Sequence, residues 1–202
     1  FNRVRNAANI IVGDATASSN NLVGAFSRVD YALKDRYFFT GNFRADASSR
    51  FGPANRWGYF PGASFTWLVS EEEFFPVDGP VQDLRFRINY GITGNQAIGD
   101  YPYQGLWGSY NYGPESGLAP SSLENRELRW ERTREFNVGL DAAFLEGRIG
   151  VEGDYYVKKT DDLLLSRPIT ATSGFTSVFA NVGSIENRGV ELRINTINIR
   201  PG

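Results

Sequence analysis

The sequence predicts an all-β protein, an antiparallel up-and-down sheet whose strands are long enough to cross a lipid bilayer as part of a barrel. Three observations predict it. Seven runs alternate apolar and polar residues at period two, and most are 11–13 residues long. An ordinary strand has about 5–6 residues and a tilted membrane-crossing one about 9–11. Connections between the runs are alternately short and long, as in barrels with short turns on one side of the membrane and long loops on the other. Large rings gather at both ends of the runs, where a headgroup interface selects them.

The elements follow in order. "GDATASSNN" (13–21) reads as a loop. In "LVGAFSRVDYALK" (22–34), Val23, Ala25, Val29, Tyr31 and Leu33 share a face, with Ser27 its polar member and Arg28 and Asp30 opposite. "KDR" (34–36) is a tight turn. "YFFTGNFRADAS" (37–48) sets Tyr37, Phe39, Phe43 and Ala45 against Asn42, Arg44 and Asp46. After a Gly-Pro loop, "YFPGASFTWLV" (59–69) aligns Ala63, Phe65, Trp67 and Val69, with Pro61 expected near the strand's start or at a bulge. The connection 70–83 has room for one helical turn at its acidic start, and fits least well as a short turn. "LRFRINYGITGNQ" (84–96) alternates Leu84, Phe86, Ile88, Tyr90 and Ile92 with Arg85, Arg87, Asn89, Gly91 and Thr93. A long loop rich in Gly, Pro, Tyr and Ser spans roughly 95–128. "ERTREFNVGLDAAF" (131–144), the turn "LEGR" (145–148) and "IGVEGDYYVKKT" (149–160) follow, then a loop from about 161 to 184 and "NRGVELRINTI" (187–197).

Alternation by itself is shared by a soluble β-sandwich and a membrane barrel. Strand length, loop asymmetry and ring placement favour the barrel. Tyr31, Tyr37, Trp67, Phe86 and Phe144 lie toward the short turns, and Tyr90, Trp130 and Tyr155 toward the long loops. The alternative is a soluble β-sandwich that binds carbohydrate; a surface structural β-protein without ligand is a third reading.

Composition narrows the chemistry. The 202 residues contain no Cys, no His and no Met, which removes disulfides, triads built on His and His-based zinc sites. A net charge of −2 gives no basic footprint for nucleic acid. No apolar run reaches the length of a membrane helix. The close carboxylates Glu152 and Asp154 share a strand face, but paired acids there read as lining charge, so no enzyme, cofactor or metal is expected.

Four blocks carry a family resemblance: residues 31–75, "LRFRINYGITGNQAIGDY" (84–101), "LRWERTREFNVGLDAAFLEGRIGVEGDYYVKKTDDLLL" (128–165) and "GFTSVFANVGSIENRGVELRINTINI" (174–199). In this order they resemble the C-terminal part of the barrel of SusC/RagA-type TonB-dependent outer-membrane transporters of Bacteroidota. The resemblance implies a bacterial outer-membrane location, import of glycans or peptides, a SusD-like surface lipoprotein as a lid, and energy from TonB through an N-terminal part. Such plugged barrels have about 22 strands. Seven strands are expected here, so residues 1–202 read as one partial barrel domain, with the plug and remaining strands outside the chain.

The ligand-site expectation falls on the long loop "GDYPYQGLWGSYNYGPESG" (99–117). Tyr101, Tyr103, Trp107, Tyr110 and Tyr112 crowd it. Rings offer a flat apolar face with a polar tip, which suits binding surfaces and, by the same logic, stacking on sugar rings. Packing of the loop on its neighbours is the competing use for the same rings.

Overall fold

A computed structural model describes residues 17–76, 79–113 and 115–198. Residues 13–16 of the expected first loop, Asp78 of the acidic connection and Pro114 of the tyrosine-rich loop lie outside the described residues. The strands are β1 (Leu22–Leu33), β2 (Tyr37–Ser48), β3 (Trp57–Leu68), β4 (Val81–Asn95), β5 (Trp107–Tyr112), β6 (Glu115–Pro120), β7 (Glu131–Phe144), β8 (Ile149–Asp161), β9 (Leu164–Pro168), β10 (Ser177–Asn181) and β11 (Ser184–Thr196). The seven long strands form one antiparallel sheet in the order β1-β2-β3-β4-β7-β8-β11. They are the seven runs of the sequence, shifted by at most three residues at their ends. The two long loops are not structureless: each contains a hairpin, β5–β6 and β9–β10, paired apart from the main sheet. The short β5 carries Gly108 and Ser109 between its rings, so its apolar alternation is too weak to read as a strand.

Two of the three short connections are tight hairpin turns. Lys34 and Asp35 both have φ of 53°, and the Arg36 amide donates to the Leu33 carbonyl at 3.3 Å. Glu146 and Gly147 have φ of 56° and 74°, and the Arg148 amide donates to the Leu145 carbonyl at 3.1 Å. Positive φ at both central residues is the type I′ signature, whose twist matches that of the flanking strands. The third short-side connection opens with a single 3-10 turn at Val69–Glu71.

Register shows what alternation means here. The rows Tyr31–Phe39–Phe65–Ile88–Val138–Tyr155–Val190 and Leu33–Tyr37–Trp67–Phe86–Leu140–Gly153–Leu192 run across all seven strands on one face. Among the described residues no second sheet or helix covers this face, and Val29, Phe43, Leu140, Val190 and Leu192 stand exposed on it. An apolar patch of this extent is not left to water by a soluble domain. The sandwich reading needs a second layer, and none packs on this face among the described residues.

Polar side chains of the opposite face are knitted across strands. Arg87 grips Asp141 through Nε at 2.9 Å and Nη2 at 2.7 Å, and also reaches Asp154 Oδ2 at 3.2 Å. Arg87, Gly139 and Asp154 are register partners on successive strands. A Cβ on Gly139 would sit 2.5 Å from Asp154 Oδ1 and 2.7 Å from Arg87 Nη2, so only glycine lets one guanidinium span β7. Asn89 donates to Asn137 at 3.2 Å and Arg193 to Glu152 at 3.2 Å, each directly across the ladder.

Pro61 lies inside β3, opposite Phe43, rather than at the strand's start. The β3–β4 ladder nonetheless begins at Gly62↔Gly91, one residue below it. Pro61 has no amide to donate, and above it the two strands part.

At the short-turn rim, ring tips converge on Glu72. Tyr37 donates its hydroxyl to Glu72 Oε1, Trp67 Nε1 donates to the same oxygen at 3.0 Å, and Arg36 Nη1 donates to Oε2 at 2.8 Å. The Tyr37 and Trp67 rings stack at 6.3 Å. The hydrogen bond from Tyr37, with those from Trp67 and Arg36, holds the Glu72 carboxyl below the usual carboxylate range.

Two expectations follow. Leu140→Arg, at the middle of the apolar wall, costs about 2–4 kcal/mol on refolding of the full-length protein into bilayers, whereas Ser64→Arg on the polar face costs little. A lowered folded-state value means that Glu72 stabilises fully above the ordinary carboxylate range, and that this contribution is lost as pH falls through the lowered value. The unfolding midpoint should therefore drop on acidification through that window, and Glu72→Gln should flatten the drop.

Candidate functional site at the long-loop end

The long-loop end of the sheet, where β3 and β4 part, carries the only cluster of buried large side chains among the described residues. Phe51 and Leu128 are fully buried, with Phe60, Ile98 and Trp130 nearly so, and Ile92, Tyr103 and Leu164 pack against them. Trp130 is 4% exposed. Its ring meets Phe51 at 5.2 Å and the edge of Phe60 at 5.3 Å, and its Nε1 donates to the Arg56 carbonyl at 2.8 Å. This corrects its expected place in the headgroup belt. Trp130 precedes β7 and turns inward under the loops. The outer belt is made instead by Trp57, Tyr59, Tyr90 and Tyr155, all exposed on the apolar face. Gly58 and Gly94 leave the space that the tip of Phe60 fills.

The cluster is a base on which the loops stand. Asn55 donates to the Arg126 carbonyl at 3.2 Å, and a Cβ on Gly52 would meet that same carbonyl at 2.9 Å. The Asn125 amide donates to Tyr103 O at 3.1 Å, and the Ser122 hydroxyl accepts from the Leu106 amide at 3.0 Å. Asn181 ties the β9–β10 hairpin to this base, donating to the carbonyls of Arg129 at 2.8 Å and Asp162 at 2.9 Å. Arg129 is paired with Asp162 at 2.7 Å, and these hydrogen bonds hold the Asp162 carboxyl below its usual range.

On this base lies a groove of about 600 Å³ lined by Pro53, Tyr103, Gln104, Gly105, Trp107, Glu124 and Arg126. Two of the five expected rings meet in it. Trp107 is 67% exposed. Tyr103 is half-buried, its ring against the hydrophobic base and its hydroxyl accepting from Gln104 Nε2 at 2.8 Å. Arg126 and Glu124 pair through Nε and Oε1 at the groove's edge. The arrangement offers a flat ring, a phenol and both charges at one opening, which suits a ligand with apolar faces and many hydrogen-bonding groups.

Tyr101 and Tyr110 are not brought to the groove. Tyr101 adopts a left-handed φ of 61°, and its hydroxyl bonds the Ser19 hydroxyl at 3.1 Å, tethering the chain before β1. Tyr110 is exposed, but the β5–β6 register puts it with Gly117, whereas Trp107 pairs Pro120 and Ser109 pairs Leu118. Trp107 and Tyr110 therefore sit on opposite faces of the hairpin, three residues apart on a strand. Tyr112 pairs with Glu115 through the backbone, and its side chain lies outside the described residues. Sequence reasoning missed Arg126, Glu124 and Pro53, which come from other segments, and Leu118, whose exposed side chain shares the Trp107 face. A strand assignment for 107–120 would have separated the two ring sets by parity.

One uncovered apolar face, one ion-paired face, short turns at one rim and built loops at the other define a wall section of a membrane-spanning β-barrel. The chain belongs to the family of TonB dependent receptor-like β-barrels, whose family description matches residues 2–199. It is 41% identical to the TonB-dependent receptor SusC of Bacteroides thetaiotaomicron over 191 residues, 90% of this chain and 19% of that protein. It is 39% identical to the TonB-dependent receptor P39 of Formosa agariphila over 201 residues, 99% of this chain and 19% of that protein. Among solved structures, it superposes on the RagAB peptide transporter with a TM-score of 0.83 and 36% identity, covering 90% of this chain and 20% of that one. The chain thus spans about a fifth of the length of the proteins it matches.

Removing the keystone ring tests the base. Trp130→Ala should cost about 3–5 kcal/mol locally, and limited proteolysis of the folded protein should then cut within 96–130 at much lower protease concentration.

Proposed function

We propose that this chain is part of the wall of an outer-membrane nutrient importer that works with TonB and takes up glycans or peptides. It is not an enzyme. The single observation that carries the reading is the two-faced, one-layer sheet, apolar without and ion-paired within, capped by built loops at one rim only. The apolar face meets lipid, the ion-paired face lines the lumen around a plug supplied by the rest of the protein, and the loop rim faces outward. A SusD-like lipoprotein closing over this rim fits the exposed faces of the β5–β6 hairpin.

Within this reading Trp107 and Tyr103 contact ligand, with Arg126 and Glu124 setting its orientation. Tyr110 belongs to the other side of the hairpin, where a lid would meet it. Tyr101 acts as a tether.

Fractionation tests the first statement: the full-length protein should sediment with outer membranes and need detergent to disperse. Recovery as a monodisperse soluble monomer would overturn it. For the groove, Trp107→Ala should lower uptake or surface binding about tenfold, the loss of one stacked ring, with heat-modifiable barrel migration unchanged. Unaltered uptake would take Trp107 out of the site.

A further inference from the structure

The apolar outer wall ends in a basic patch at one rim only. On β7 and β8 the outward row continues upward from Phe136 and Val157 to Arg134 and Lys159, then to Arg132 and Asp161. On β11 it adds Arg188 beside Val157, and Glu186 beside Lys159. Four cations thus face outward on three adjacent strands against two carboxylates of the same rows, with Asp162, already held by Arg129, close enough to interact with Arg132 and Arg134. Arg134 and Lys159 share one acid, Asp161, at 3.1 Å and 3.6 Å. Arg132 and Arg188 form no ion pair among the described residues, and both are exposed. The inner face behaves differently: Arg28, Arg44, Arg87 and Arg193 each hold a carboxylate of their own face. The outward short-turn end of the same strands, at Phe144, Ile149 and Thr196, carries no charge.

Height decides what the patch meets. From Phe144 to Phe136 the strand rises about 27 Å at about 3.4 Å per residue, or about 21 Å along the membrane normal at the usual tilt. Arg134 lies about 5 Å higher, at the edge of an apolar band about 25 Å tall. A guanidinium there extends into the headgroup layer rather than into bulk water.

Resting on the outer-membrane reading above, we infer that Arg132, Arg134, Lys159 and Arg188 form a binding site on the barrel exterior for a phosphate-bearing lipid of the outer leaflet. Phosphate oxygens take the N–H donors of Arg132 and Arg188, which hold no ion pair among the described residues. The acyl chains lie down the Phe136, Val138, Leu140 and Val190 wall. The Tyr155 ring, in the same row as Val138 and Val190, lies along these chains below the cations.

The test uses the full-length transporter in detergent, titrated with bisphosphorylated lipid A, with the same lipid stripped of its phosphates, and with inorganic phosphate. The thermal midpoint should rise with the phosphorylated lipid alone. The combined variant R132Q/R134Q/K159Q/R188Q should bind it at least about tenfold more weakly, while R132K/R134K/R188K, which keeps the charge, should retain most of the shift. Equal stabilisation by the stripped lipid, an unchanged shift in the neutralised variant, or the same shift from inorganic phosphate would each overturn the site. If the neutralised variant does not fold, loss of the shift in the wild type at high salt replaces it, and persistence there overturns the proposal. Loss of outer-membrane fractionation by the wild type would instead overturn the parent reading.

Discussion

The structure depends on one constraint: in a single-layer sheet the backbone amides and carbonyls of paired strands are spent on one another, so the two faces are free to meet two different media. Hydrocarbon demands this arrangement, since an unpaired peptide group there costs several kcal/mol. The period-two alternation is then a record of two solvents, with Phe86 and Leu140 written for lipid and Arg87 and Asp141 for a polar interior. A one-residue slip in register would exchange the two sets. The tight turns at 34–36 and 145–148 prevent it, because their positive-φ residues admit one twist and one loop length.

The inner face shows how a charged surface is kept in a narrow space. Isolated exposed ion pairs contribute little, but Arg87 holds two acids at once, and Gly139 exists so that it can. At the short-turn rim Glu72 does the converse, one carboxylate gathering three donors from β2, β3 and the turn between β1 and β2. Both devices link strands that the ladder already joins and fix the side chains in place rather than the fold. A lumen lined this way presents a fixed pattern of charge to whatever fills it.

The long strands were legible because each is a period-two run with a clear outer stripe, and the family resemblance rested on the same residues. Trp57 was lost from the outer belt because the Gly-Pro loop before it set the strand's apparent start at Tyr59, two residues late. Trp130 was misplaced because a ring next to a strand end reads the same whether it turns out toward headgroups or in under a loop. Its contacts distinguish the two: the rings of Phe51 and Phe60, and the Arg56 carbonyl 74 positions away in sequence that accepts from its Nε1. The groove was half legible: the ring-rich loop announced Trp107 and Tyr103, but Arg126 and Glu124 reach the same opening only through the folding back of 121–126 onto 103–106.

That folding back explains how a loop without regular structure over most of its length presents a defined surface. Long loops ordinarily lose too much entropy to hold a binding geometry. Here Phe51, Phe60, Ile98, Leu128 and Trp130 form a small core of their own above the point where β3 and β4 part, filling the opening that Pro61 creates. The break in the ladder is therefore the seat of the core. The rings that fill it fix the stems of the loops, and the tips, Trp107 among them, remain exposed. Wall and mouth are stabilised by different physics, hydrogen-bonded strands in lipid for one and a buried apolar cluster for the other, so residues at the loop tips can change without disturbing the strands below.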